Sequence, residues 1–494
     1  MTSRFVRLAD QDAQVRAGLR TVRTELNIPE DFPAAVQLAA QQAADTVSER
    51  ERDDLTDVPF VTIDPEGSMD LDQAVHVARD ATGFVVHYAI ADVAAFAPAG
   101  GPIDREARHR GLTLYAPDGR VPLHPSVLSE GAASLLPDQP TPAAVWRLEL
   151  AADGAVTSAD VRRAVVRSRA KLSYEDVQRQ LDAADAGADA DADQLYLDLR
   201  AVGRLRQEQE RLRGGIDLPV PEQVVDQVDG EWVLSFRAPL PIERWNAQIS
   251  LMTGMAAADI MLSAGIGVLR TMPPPQPADL ARVRRTAKAL GLPWPQDGSY
   301  ADLIRSADPQ QPSHLAFLSL ATTLLRGAGY TTFDGDAPDL RTHSAVAAPY
   351  AHVTAPLRRL VDRFGTEIAL SVCAGQSVPT WVREALAELP DRMMSATRLS
   401  RSLERESINL IEAVLLADRV GETFEASVVD RDPRRRSDFS IVIRDPAVRA
   451  KAKGDLEVGT RAPVVLATSD PERRSVLFRQ GEVTGEAAAG SPHL

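Results

Sequence analysis

Cysteine is almost missing from this sequence: Cys373 stands alone among 494 residues. A single cysteine excludes an intrachain disulfide and a thiolate cage for zinc. Uninterrupted apolar runs of ~18 residues, the length a membrane-spanning helix needs, are also lacking. The nearest, Ile249 to Leu269, is broken by Ser250, Thr253, Asp259 and Ser263. No Gly-Lys dipeptide occurs, which removes a P-loop. No serine sits in Gly-x-Ser-x-Gly, and Gly265-Ile266-Gly267 lacks the third glycine of a dinucleotide fingerprint. The eight histidines form no His-x-x-x-His pair, so a zincin helix is out. Asp10 and Asp12 stand where a secretory leader would be apolar. These absences point to a cytoplasmic protein with no membrane partner, whose chemistry falls to carboxylates.

What is present is ordinary globular material, 44% hydrophobic and 25% charged. At ~150 residues per domain the length suggests about three units. The net charge is −15, from 55 basic and 70 acidic residues. Residues 421–480 reverse the trend, with 12 Lys/Arg against 10 Asp/Glu. An acidic shell discourages indiscriminate association with nucleic acid, yet leaves room for a basic channel.

Residues 1–56 read as helical, with apolar spacing over Ala13–Leu26 and Pro33–Val47 and a break at Asn27-Ile28-Pro29. This unit suits a helix-turn-helix-like element or a packing cap. Strands are expected at Phe60–Ile63, Ala74–Ala78 and Phe84–Ile90, and helices at Leu172–Gln180 and Leu195–Leu212. The Ala/Asp-rich stretch Leu181–Gln194 reads as a solvated loop. A long helix is expected over Trp245–Arg270, then helices at Leu280–Leu290, Ser313–Leu325, Pro356–Cys373, Val378–Leu389 and Asp391–Leu416. Beyond Gly421, short strands at Thr423–Val429, Phe439–Ile443, Arg461–Ala467 and Ser475–Arg479 suggest a small OB-type barrel. The Gly/Ala/Ser-rich tail, 482–494, reads as disordered. The pattern is α+β, with a body over 57–418 and a barrel over 419–481.

The densest chemistry lies in Phe60-Val-Thr-Ile-Asp64-Pro-Glu-Gly-Ser-Met-Asp70-Leu-Asp72-Gln73. An apolar strand delivers Asp64 to its end, and Pro65-Glu66-Gly67-Ser68 is turn chemistry. Asp70 and Asp72 are two apart in an extended segment, so their side chains share a face, and the turn folds them back towards Asp64. Two carboxylates at ~4 Å repel by ~4 kcal/mol at an effective dielectric of ~20. A hard dication relieves that repulsion, and oxygen-only ligands suit Mg²⁺, with Mn²⁺ as an alternative. A solvated acidic turn fits the same spacing.

The run Thr62-Ile-Asp64-x5-Asp70-x-Asp72-x-Ala74 resembles a signature of the ribonuclease II/R family and its RNB catalytic domain. Val86-His-Tyr-Ala-Ile-Ala-Asp92-Val resembles the strand that follows, and Tyr350-Ala-His-Val-Thr-Ala-Pro-Leu-Arg358-Arg359-Leu-Val-Asp362 a second signature. The resemblance implies a mixed-sheet body and a processive 3′→5′ exoribonuclease that uses Mg²⁺ to release nucleoside 5′-monophosphates from single-stranded RNA. By position it implies that Asp64, Asp70, Asp72 and residue 73 hold metal, with Asp70, Asp72 and Arg358 catalytic. Residue 73 is Gln73 where the family usually has a further aspartate, so a weaker second metal is expected. The resemblance gives Tyr115 a base-stacking role and Glu404 a ribose contact, and Arg359 could bind the RNA backbone. The terminal barrel resembles the family's RNA-binding OB domain, with Arg434 and Arg435 in a basic loop suited to phosphates. Residues 1–56 are too short for the family's pair of cold-shock barrels. A monomer is expected. A catalytically weakened RNA-binding homologue and a metal-dependent phosphatase remain as alternatives.

Overall fold

The computed structural model describes residues 2–46, 51–187, 193–295 and 298–482, with backbone only over 2–10. Part of the Ala/Asp-rich stretch (188–192) and the tail 483–494 lie outside the described residues.

Two helices lead, α1 (Thr2–Glu25) and α2 (Ala34–Asp45). Then come β1 (Asp53–Leu55), β2 (Val61–Asp64), β3 (Gln73–Arg79) and β4 (Gly83–Ala91), followed by α3 (Pro102–Arg110). A small hairpin, β5 (Leu114–Ala116) and β6 (Gly119–Val121), precedes β7 (Pro140–Ala151), β8 (Val156–Arg167) and β9 (Ala170–Ser173). Seven of these strands form one mixed sheet in the order β1-β8-β7-β4-β3-β2-β9. The outer pairs β1–β8 and β2–β9 are parallel, and the inner pairs antiparallel.

Alternation explains the sheet. Tyr88 on β4 and Trp146 and Leu148 on β7 point to one face and are buried. That face packs on α4 (Tyr174–Asp185), α5 (Gln194–Arg213) and α6 (Pro241–Ala264). On the other face Ala74, Ala89, Val145 and Val166 meet Val36 and Ala40 of α2 and Ile103 of α3. Between α5 and α6 runs a hairpin, β10 (Glu222–Val228) and β11 (Glu231–Arg237).

Several expected helices have other bounds than the sequence suggested. The long one ends at Ala264, because Gly265 adopts φ 71° and caps it; β12 (Ile266–Thr271) then pairs with β13 (Gly329–Asp334). The one expected from Leu172 starts at Tyr174, where the Ser173 hydroxyl accepts the Asp176 N–H at 3.1 Å. By length and composition α6 would suffice to cross a membrane; here Ile242, Ile249, Met252 and Met261 are buried in the core.

Helices α7 (Pro277–Ala289), α8 (Tyr300–Ser306) and α9 (Pro312–Ala321) form a satellite core around Phe317. After β14 (Thr342–His343) and β15 (Ala348–Pro349) come α10 (Leu360–Cys373), α11 (Thr380–Ala385) and α12 (Leu389–Leu416). Helix α10 starts at Leu360, not at Pro356; Arg359 is extended at φ −144°, ψ 116°. The last unit is a closed barrel of β16 (Thr423–Arg431), β17 (Asp438–Ile443), β18 (Val448–Lys453), β19 (Arg461–Asp470) and β20 (Ser475–Gln480), ordered β16-β17-β18-β20-β19. The sequence reading missed β18, whose inward residues Val448, Ala450 and Ala452 are small and alternate with Arg449, Lys451 and Lys453.

Candidate active site

The site lies where β2 ends and β3 begins. Asp64 closes β2, held in place by parallel pairing of Thr62, Ile63 and Asp64 with Lys171, Leu172 and Ser173. Gly67, at φ 82°, lets the chain reverse, and the Ser68 N–H donates to the Pro65 carbonyl at 3.1 Å. Ser134 then clamps the returning segment. Its hydroxyl donates to the Met69 carbonyl at 2.6 Å and accepts the Leu71 N–H at 3.0 Å. Sequence reasoning missed Ser134, since an isolated serine carries no periodic signal.

The three aspartates have different surroundings. Asp72 is buried; its Oδ1 accepts the Leu357 N–H at 2.7 Å and its Oδ2 lies 3.3 Å from Arg358 Nε. Burial pushes its carboxyl up to about 8 against the pull of Arg358. Asp64 is pushed up to about 6 by burial, again opposed by Arg358, with Asp70 adding to the rise. Asp64 Oδ2 is buried with no hydrogen-bond partner. Asp70 is ion-paired with Arg120 and accepts the Tyr115 hydroxyl at 3.4 Å. The acids are thus electrostatically coupled, but among the described residues no group of three or more His, Cys, Asp or Glu is arranged to hold a metal ion. One buried and one half-buried carboxylate of raised pKa, the latter with an orphaned oxygen, nonetheless form a donor set that fits a hard dication.

Gln73 turns its amide another way: Nε2 donates to the Thr354 carbonyl at 2.5 Å. It joins a set of bonds that hold the segment 350–360. The Ala351 N–H donates to the Gly254 carbonyl at 2.9 Å, and the Thr113 N–H to the Arg358 carbonyl at 2.9 Å. The Ala355 N–H donates to Asp362 Oδ1 at 2.7 Å. A Cβ on Gly254 would lie 2.2 Å from Tyr350 Cε2, so only glycine allows this approach. The outcome separates the two arginines. Arg358 is half exposed and faces Asp72. Arg359 makes a two-pronged pair with buried Asp362, Nε to Oδ2 at 2.5 Å and Nη2 to Oδ1 at 2.6 Å. Its charge is committed inside the fold.

Tyr115 is 49% exposed on the β5–β6 hairpin. Beside it Arg120, not foreseen from sequence, bridges Asp70 and Glu130. Glu404 lies on α12 and lines a cavity of about 670 Å³ with Arg244, Gln310 and Arg449, where the barrel meets the body. Arg434 and Arg435 are exposed on the β16–β17 loop. Their backbone N–H groups donate to Asp432 Oδ1 at 2.8 and 3.0 Å, which orders the turn; both side chains are exposed, and Arg435 Nη1 lies 3.9 Å from Asp438.

A mixed α+β body, with a buried carboxylate facing a half-exposed arginine, joined to a closed five-stranded barrel, defines the class of protein by its architecture. Comparison with known proteins gives the family. Residues 52–365 match the RNB domain, and 422–481 match the RNase II-type exonuclease C-terminal S1 domain. The chain belongs to the RNB family. Ribonuclease R of Escherichia coli (strain K12) is 27% identical over 446 residues, covering 81% of this chain and 52% of that protein. The exosome complex exonuclease RRP44 homolog A of Arabidopsis thaliana is 28% identical over 412 residues, covering 78% and 42%. The chain spans about half the length of the curated relatives it matches. Mycoplasma genitalium RNase R in complex with ribose-methylated single-stranded RNA superposes with a TM-score of 0.84 at 20% identity, covering 94% of this chain and 78% of that one. Yeast Ssd1, a pseudonuclease, gives 0.68 at 15%, covering 89% and 54%.

Proposed function

We propose that this chain is a cytoplasmic 3′→5′ exoribonuclease that hydrolyses single-stranded RNA to nucleoside 5′-monophosphates. The observation that carries the reading is the Asp72–Arg358 pair: a buried carboxylate and a half-exposed guanidinium held at one point by a segment bonded on every side. In the reaction a water oxygen bonds to phosphorus, the P–O3′ bond to the penultimate nucleotide breaks, and that 3′-oxygen takes up a proton. Mg²⁺ or Mn²⁺, when bound by Asp64, Asp70 and Asp72, supplies Lewis-acid polarisation of the phosphate oxygens. Arg358 stabilises charge that builds on the phosphate, and it needs no reorganisation to do so. Tyr115 offers an exposed ring on which any base can stack, which suits an enzyme without base preference. Glu404 contacts the ribose of the strand in the cavity between barrel and body, where a 2′-hydroxyl distinguishes RNA from DNA. Arg434 and Arg435 take the phosphate backbone further out.

The test is Asp72→Asn, assayed on 3′-end-labelled RNA by thin-layer chromatography, with Mg²⁺ and with EDTA. The parent protein should release monophosphates one by one only when the cation is present, and the variant should release none. Equal rates for both proteins would overturn the mechanism. Gln73 supports a second reading, an RNA-binding homologue without turnover: its amide is neutral and already used on Thr354. Tight RNA binding with no nucleotide release in excess Mg²⁺ or Mn²⁺ would select that reading.

A further inference from the structure

We propose that Arg23 is a positioning residue for the β5–β6 hairpin, and that the N-terminal helical unit acts on the active site through it. This role presupposes the exoribonuclease reading, since that reading gives the hairpin its task. The hairpin has three residues per strand, and a pair that short has no independent stability. Its orientation must be imposed from outside: α12 packs against β5, Arg120 pairs with Asp70 and Glu130, and an arginine of the N-terminal unit grips the turn itself.

Arg23 sits in the last turn of α1 and is 8% exposed. Its Nη1 and Nη2 donate to the two oxygens of Asp118 at 2.8 and 3.1 Å, and its Nε pairs with Glu30 at 2.8 Å. Asp118 lies in the hairpin turn, and its side chain is only 10% exposed. A forked arginine on a carboxylate fixes direction as well as distance. Two residues beyond is Arg120, paired with Asp70; three residues before is Tyr115, whose hydroxyl reaches the same acid. The apolar contacts agree. Val22, Ile28, Leu114, Val121 and Leu403 form one buried cluster, so α1 also braces the turn of α12 that carries Glu404. The linker is fastened as well: Arg110 Nη2 donates to the Asp31 carbonyl at 2.6 Å, and its guanidinium lies 3.8 Å over Phe32. The hairpin that carries Tyr115 and the turn of α12 that carries Glu404 therefore share one N-terminal support.

Misplacing catalytic groups by ~1 Å can cost about 10²-fold in rate. Arg23→Met keeps the alkyl stem and removes the fork, while Arg23→Lys keeps the charge. With Asp118→Asn and the double variant these make a cycle, read by kcat and KM on 3′-hydroxyl RNA and by amide hydrogen exchange. Arg23→Met should lower kcat about 10- to 100-fold with KM within about 2-fold, and speed exchange over 114–121 alone. Asp118→Asn should match it, the double variant should be no worse than either, and Arg23→Lys should recover part of the rate. Unchanged kcat, or a loss that follows the melting temperature with exchange rising throughout the chain, would overturn the role. Should the parent protein release no nucleotide, the exoribonuclease reading fails instead. Exchange then decides alone: faster exchange confined to 114–121 upholds the positioning, and unaltered exchange there removes it.

Discussion

At the scale of single residues, the environments of the two signature arginines predict different phenotypes. Arg358 holds its guanidinium beside Asp72 with half its surface open, so Arg358→Ala is expected to lower turnover by about 10²–10³ with little change in unfolding midpoint. Arg359→Ala leaves Asp362 charged and buried without its partner, and breaking such a pair costs about 3–5 kcal/mol. Denaturant titration should show that loss directly; a stable but inactive Arg359→Ala protein would reverse the assignment. The aspartates predict a pH dependence. Burial raises Asp64 to about 6 and Asp72 to about 8, both above the unfolded carboxylate value near ~3.9. A group raised on folding contributes stability in full below its unfolded pKa and loses it as pH rises through the folded value. Cation-free protein should therefore lose thermal stability between about pH 5 and 8. Protons compete with a dication for the same oxygens, so Mg²⁺ should raise the melting temperature more near pH 8.5 than near pH 6. Equal gains at both would count against cation binding by these acids.

At the scale of elements, the site depends on how tightly the segment 350–360 is laid against α6, β3 and the β5–β6 hairpin. Gly254→Ala forces a methyl into Tyr350 and the Ala351 carbonyl, 2.5 Å away, where overpacking costs about 1–3 kcal/mol. Because Arg358 lies on that segment, the variant should lose turnover as well as melting temperature. Survival of full activity would mean that the segment is less rigidly coupled than its bonds imply. Gln73 belongs here too. The aspartates and both arginines were legible as a motif, but the duty of Gln73 was not: its partner is the Thr354 carbonyl, 281 positions away in sequence. Ser134 and Arg120 escaped notice for the same reason: Ser134 bonds Leu71 from 63 positions away and Arg120 bonds Asp70 from 50. The exact start of α10 was likewise invisible, because the Asp362 side chain, bonded to Ala355 and Arg359, holds 356–358 in a turn and leaves Arg359 extended.

At the scale of the whole molecule, charge is uneven along the chain: the whole carries −15, while residues 421–480 hold more basic than acidic side chains. The acidic body carries its basic reversal in the barrel, where Arg434 and Arg435 project from the β16–β17 loop. Replacing both by alanine should weaken single-stranded RNA binding alike for all sequences and flatten its salt dependence by about 0.7 per lost phosphate contact. A filter-binding series across salt concentrations measures this, and an unchanged slope would remove the loop from the path. The sequence by itself determined the α+β class, the barrel at the C-terminus, the acidic run and the paired arginines, because periodicity and local spacing are properties of neighbours along the chain. Only the tertiary structure decided that Asp72 is buried against Arg358 while Asp70 turns to Arg120, that Arg359 is spent on Asp362, and that Glu404 lines a cavity shared with the barrel. Those outcomes depend on burial and on which distant group arrives first to satisfy each charge, and no local pattern encodes them.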